Sequence, residues 1–214
     1  MEPSKLIVSP HVDDEVLGCG GMLNSDCFVY FCGVDETLVA SDPTHRIPKE
    51  NRLAELKGVA AYLGFTYEIN REAKVNHFVL TDFISKMEAV INNVEPEFVF
   101  LPHPGYNQDH RTIYSACQVA LRNHDKNHFV PKVLVYEAIH DFLWSHEKFE
   151  PNYFIPIDIE RKLHAYRLHR SQVRTFRSMD MLTHLAALRG AMANVAYAEA
   201  FTVLRWVEGQ VGAS

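Results

Sequence analysis

Short apolar runs alternate along the chain with longer segments whose apolar positions recur every three or four residues. The short runs are "KLIVS" (Lys5–Ser9), "DCFVYFCGV" (Asp26–Val34), "TYEI", "EFVFLP" and "KVLVYEA". They are rich in β-branched and aromatic residues and predict strands. Between them, "VLGCGGML" opens a helix, and "KENRLAELKGVAAYLGF" has helical spacing at Leu53, Leu56, Val59, Ala60 and Leu63, ending at Gly64. "LTDFISKMEAVINNV" is a helix with Asp82 in its first turn, and "DHRTIYSACQVALRNH" is another. The polar stretch Asp35–Ile47, which contains Pro43, reads as a long loop. Strands alternating with helices imply βαβ units, and strands apolar throughout imply a parallel sheet covered on both faces.

After about Phe142 the rhythm changes. "FIPIDI" predicts an edge strand, because Pro156 cannot donate to a ladder. "IERKLHAYRLHRSQ" is an amphipathic helix, "MLTHLAALRGAMANVAYAEAF" a helical stretch interrupted by Gly190, and "FTVLRWV" a returning strand. The expected fold is a single α/β domain over residues 1–214. It is Rossmann-like, a mostly parallel sheet of about five or six strands with helices on both faces, plus a C-terminal region of helix and edge strand.

Composition narrows the function classes. A formal charge of -6 with no basic cluster argues against a nucleic-acid surface. No apolar run is long enough to span a membrane, and the segment before the first acids is too short for a signal peptide. Cys19, Cys27, Cys32 and Cys117 show no CxxC spacing and read as reduced core thiols of a cytoplasmic protein. Twelve histidines raise the expectation of metal chemistry.

The candidate chemistry lies in "SPHVDDEVLGCGG", directly after the first strand, since ligands of open α/β sheets bind beyond the carboxyl ends of strands. Helix capping accounts for one acid there, or two. It does not account for His11, nor for adjacent carboxylates at a strand end, whereas a divalent cation accounts for both. One acid would bind the ion and another would stay free beside its water. The fourth strand repeats the arrangement: it ends at Leu101, and Asp109-His110 opens the next helix. His11, Asp14 and His110 make a His₂Asp set with an open position, the pattern of a catalytic zinc. Asp109 would orient His110 or hydrogen-bond another group of the site.

"PHVDDE" resembles the (A/P)HPDDE motif of the PIG-L/LmbE-like zinc-dependent N-acetylglucosaminyl deacetylases, and "NQDH" resembles their HxDH motif. "NRLAELKGVAAYLG" is similar to the family's R-x-x-E helix through Arg52 and Glu55, "HRSQ" (His169 to Gln172) to its H-x-S-Q segment, and "RGAMANVAYAEAF" to its C-terminal stretch. The resemblance implies one zinc ion per chain, or another divalent transition metal, held by His11, Asp14 and His110. It implies Asp13 as general base and Arg52 near the substrate. The bland alternative for Arg52 is a surface ion pair with Glu55.

Two positions depart from the family pattern. Val12 stands where proline is usual, and Asn107 where HxDH begins with histidine. Asparagine can donate to an oxyanion but gives up no proton, so the acid is Asp13 after its first proton transfer, or His169 or His103. The implied function is removal of acetyl from an N-acetylated sugar conjugate. A metal-dependent phosphoesterase and a sugar- or metal-binding module without catalysis are the alternatives. The loop Asp35–Ile47 and the segment Ala138–Pro151 are expected at the pocket rim. Phe142 and Trp144 there suit either sugar stacking or the subunit contacts of a homo-oligomer.

Overall fold

The computed structural model describes residues 3–34, 47–123, 125–139 and 148–209. Its strands are β1 (Lys5–Ser9), β2 (Cys27–Phe31), β3 (Thr66–Ile69), β4 (Phe98–Pro102), β5 (Lys132–Tyr136), β6 (Tyr153–Pro156) and β7 (Ala198–Trp206). Its helices are α1 (Asp14–Cys19), α2 (Lys49–Leu63), α3 (Leu80–Val94), α4 (Gln108–Ala120), α5 (Ile159–Leu168) and α6 (Met179–Met192), with a 3₁₀ turn at Arg170–Gln172.

The strands form one seven-stranded sheet in the order β3-β2-β1-β4-β5-β7-β6. The first five are mutually parallel, and β7 runs antiparallel between β5 and β6. The mostly parallel α/β sheet predicted by the sequence pattern is present. It has seven strands because both C-terminal apolar runs pair, and β6 with Pro156 lies at the edge.

Side chains alternate across the sheet and build two cores. Ile7, Val29, Phe31, Phe100, Leu134 and Tyr136 face one side and pack with α1, α2, α5 and α6. Leu6, Val8, Tyr30, Cys32, Val99, Leu101, Val133 and Val135 face the other and pack with α3 and α4. All four cysteines are free and buried.

The C-terminal region differs from its sequence pattern in two ways. Gly190 does not interrupt a helix, because α6 runs through it to Met192. A Cβ at Gly190 would lie 2.6 Å from Ala196 O, so glycine there admits the returning chain. "AEAF" is strand, not helix: Ala198, Glu199, Ala200 and Phe201 open β7, pair with β6 and are buried. Helix-favouring alanine and glutamate yield to that burial.

In the order β3-β2-β1-β4-β5, the chain leaves β1 toward one edge and β4 toward the other. The carboxyl ends of these two neighbours flank the switch point, where such sheets open a crevice.

Candidate metal centre

The turn after β1 is held by its own side chains. Ser9 Oγ donates to His11 O (2.7 Å), His11 N donates to Asp14 Oδ2 (3.0 Å), and Asp13 N donates to Glu15 Oε2 (2.9 Å). Asp13 occupies the N-cap of α1 without a side-chain cap, its carbonyl accepting from Val16 N and Leu17 N. Capping therefore does not explain the three acids. Asp13 also has φ 145° and ψ -24°, a backbone that L-residues rarely adopt. Gly18 lets α1 sit on β5, since a Cβ there would lie 2.2 Å from the Tyr136 ring, whose hydroxyl donates to Val8 O at the end of β1.

The turn after β4 delivers Asp109 and His110 on the first turn of α4, with Asn107 Oδ1 capping the helix by accepting from Asp109 N (2.8 Å). The two strand ends converge. Asp14 Oδ2 lies 3.1 Å from His11 Nδ1 and 3.1 Å from His110 Nε2. The ligand atoms of His11, Asp14 and His110 all fall within 4.8 Å of one another. Around a tetrahedral ion with bonds of about 2.0–2.1 Å, neighbouring ligand atoms sit about 3.3 Å apart. The spacing fits such an ion, and two imidazoles with one carboxylate suit zinc-class metals.

Asp109 turns to His11, not to His110. Its Oδ2 lies 2.9 Å from His11 Nε2 and accepts from Asn76 N (2.7 Å). Burial pulls the His11 imidazole down, but Asp109 and Asp14 outweigh it and raise its pKa to about 9. Burial pushes the Asp14 carboxyl up, yet the facing His110 and His11 hold it well below the usual carboxylate range. A metal ion would replace protons as the positive charge that these acids face.

Asp13, 2% exposed, faces two arginines. Its Oδ2 accepts from Arg177 Nη1 (2.5 Å), and its Oδ1 lies 3.7 Å from Arg52 Nη2. Arg52 is no surface ion-pair residue. It is 2% exposed and donates to Val12 O, while Glu55 accepts from Ser171 N and Oγ. His169 is wholly buried, with Nε2 2.7 Å from Glu15 Oε1. Burial lowers its pKa, and the Glu15 carboxylate more than offsets this and raises it. His103 is 8% exposed and packs edge-on against Phe149.

Sequence reasoning missed several neighbours of the centre. Asn76, with φ 68°, accepts at Oδ1 from Gln108 Nε2, and the Phe78 ring stacks on His11 with centroids 6.2 Å apart. Both belong to the β3–α3 connection, which carries no motif. Arg177 lies in the similarly featureless segment before α6. Glu199, the acid of "AEAF", pairs with Lys162 Nζ (2.7 Å) and accepts from Gly21 N, anchoring the far end of α1. Of the expected rim, residues 35–46 and 140–147, including Phe142 and Trp144, lie outside the described residues.

A parallel α/β sheet with a His–Asp–His cradle at its switch point defines the class: an α/β protein with a candidate mononuclear metal site. The sequence profile of the GlcNAc-PI de-N-acetylase family, PIG-L, matches residues 6–121. The chain belongs to this family of deacetylases. No curated protein gives a significant sequence match. Among solved structures, the chain is similar to N,N'-diacetylchitobiose deacetylase from Pyrococcus horikoshii, with TM-score 0.74 and 21% identity over 94% of this chain and 83% of that one. It is similar to 4-carboxy-2-hydroxymuconate hydratase from Pseudomonas putida, with TM-score 0.74 and 19% identity over 99% and 100%. It is also similar to the zinc-inhibited form of teicoplanin deacetylase, with TM-score 0.70 and 18% identity over 96% and 99%. These likenesses establish a shared fold. Among the described residues no helix is long and apolar enough to cross a membrane.

Proposed function

We propose that the protein is a zinc-dependent N-deacetylase that removes acetyl from an N-acetylglucosamine-type sugar conjugate. The observation that carries this reading is the cradle of His11, Asp14 and His110 within 4.8 Å, with Asp13 on the same turn. Family membership supports the reaction class.

A zinc-class ion in the cradle would supply Lewis acidity to the acetyl carbonyl and lower the pKa of bound water to about 7. Asp13 takes the proton of the attacking water. Arg177 engages Oδ2, so Oδ1 is the oxygen that receives it. Asn107 contributes Nδ2 to the carbonyl oxygen, its Oδ1 being held by Asp109 N. Asparagine has no proton to give, so Asp13 returns its own to the nitrogen as the C–N bond breaks, leaving acetate and a free amine. The four buried free cysteines agree with a reducing, cytoplasmic setting.

The test is to load the purified protein with zinc and offer N-acetylglucosamine glycosides, N,N'-diacetylchitobiose and a generic phosphoester. Free amine without free phosphate is expected. Zinc-loaded protein that binds these sugars yet releases no amine would overturn the reading in favour of a binding module.

A further inference from the structure

The peptide unit between Val12 and Asp13 is gripped at both ends. Its carbonyl accepts from Arg52 Nη2, and its N–H donates to Glu15 Oε2 (2.9 Å). Behind Glu15, Oε1 meets His169 Nε2 at 2.7 Å, and neither residue has any exposed surface. One turn along α2 from Arg52, Glu55 accepts from Ser171 N (2.9 Å) and Oγ (2.7 Å). The contacts close a ring that joins the turn after β1 to α2 and the 3₁₀ segment. Its stations are Asp13, Glu15, His169, Ser171, Glu55 and Arg52.

The conformation at the centre of this ring gives it a purpose. Asp13 at φ 145° is strained, and such a backbone persists only when its surroundings over-determine it. Burying Glu15 and His169 is also costly unless they pair, as they do through Oε1 and Nε2. Position 12 is valine, so no proline ring fixes the backbone there. Without the grip, the peptide would rotate toward an ordinary conformation and carry the Asp13 carboxylate with it.

We propose that Glu15 and His169 are positioning residues, which hold the Val12–Asp13 peptide so that the Asp13 carboxylate keeps its place beside the His11, Asp14 and His110 cradle. The functional half of this rests on Asp13 being the base of the proposed deacetylation. The structural half does not.

Two variants separate position from charge. Glu15→Asp keeps the charge but is one methylene too short to reach both Asp13 N and His169. Glu15→Gln keeps the length, an oxygen for Asp13 N–H and an N–H₂ for His169. Glu15→Asp is expected to lower kcat on the order of 10²-fold, as misplacement of a catalytic group by about 1 Å does, with KM and zinc content retained. Glu15→Gln is expected to recover most of that loss. An equal loss in Glu15→Gln would assign the effect to charge, and near-native kcat in Glu15→Asp would leave no positioning role; either result overturns the proposal. Crystal structures of the native and Glu15→Asp proteins give a second readout. The Asp13 φ is expected to leave the positive range in the variant, and an unchanged φ overturns the grip whether or not the protein is active. If the native protein releases no amine, the deacetylase reading fails while the φ comparison still decides this one.

Discussion

His11 Nε2 and Asp109 Oδ2 lie 2.9 Å apart across the gap between the ends of β1 and β4. Asp109 accepts there, so the imidazole donates from Nε2 and presents Nδ1 to Asp14, 3.1 Å away. A carboxylate behind a histidine fixes its tautomer and raises its basicity as a ligand. Asp109→Asn is therefore expected to weaken zinc binding by about 10–100-fold. Competition against a chromophoric chelator measures it, and unchanged affinity would remove Asp109 from the support of the cradle.

His110, wholly buried on α4, faces Asp14 Oδ2 at 3.1 Å. A ligand that binds only the folded chain stabilises it, by about 2.7 kcal/mol when its free concentration is 100 times Kd. Added zinc should raise the Tm of the native protein, and His110→Ala should abolish both that rise and the stoichiometric zinc. A variant that keeps one ion per chain would show that the cradle is elsewhere.

For Asp13 the expectation separates base from ligand. Asp13→Asn keeps the shape but loses the basic oxygen. Turnover should fall on the order of 10²–10⁴-fold while zinc content persists. Loss of the metal, with activity restored by excess zinc, would exchange the roles of Asp13 and Asp14.

The legible parts of this protein are those set by local sequence. Lys5–Ser9 and Phe98–Pro102 read as strands because each is an apolar run bounded by polar residues. His11 and Asp14 stand out because they directly follow such a run, and His110 because it opens the helix after the other, at the sheet end where ligands bind. Asp109 was visible as a residue but not in its partner, since its link to His11 spans 98 positions. The contacts of Glu15 with His169 and of Asp13 with Arg177 span 154 and 164 positions and depend on how α5 and α6 dock. No periodicity encodes that docking. "AEAF" favours helix in isolation, and its pairing with β6, with Phe201 also on β5, makes it β.

Away from the centre, Asp26 accepts from Lys5 Nζ, Ser4 Oγ and Ser4 N, tying the start of β1 to β2. The Lys5 and Ser4 hydrogen bonds hold its carboxyl down at about 2. The folded pKa lies below the unfolded value near 3.9, so the contribution is present above about pH 4 and disappears as pH falls toward 2. The pair is solvent-exposed enough to be screened, and the effect should be under about 1 kcal/mol. Urea melts of native protein and Asp26→Asn at pH 7 should differ by that amount and converge near pH 2. A difference that persists there would mean that Asp26 acts through something other than its charge.

Asn107 combines two duties that its variants can separate. Its Oδ1 caps α4 through Asp109 N, 2.8 Å away, and its Nδ2 is the donor proposed for the carbonyl oxygen. Loss of the cap costs about 1 kcal/mol of stability, and loss of an oxyanion donor costs about 10²–10³ in kcat. Asn107→Ala should show both losses. Asn107→Asp keeps a capping oxygen but has no amide donor, so it should keep its Tm and lose kcat. Asn107→His restores a ring donor and the residue usual in the family, and should keep most of kcat while losing part of the cap. Urea melts give the first quantity and amine release gives the second, each with zinc content quantified. If Asn107→Asp keeps native turnover, Nδ2 does not serve the oxyanion and Asn107 is a helix cap alone. If Asn107→His instead raises kcat well above native, the limiting step in this chain is protonation of the leaving nitrogen, which asparagine cannot supply.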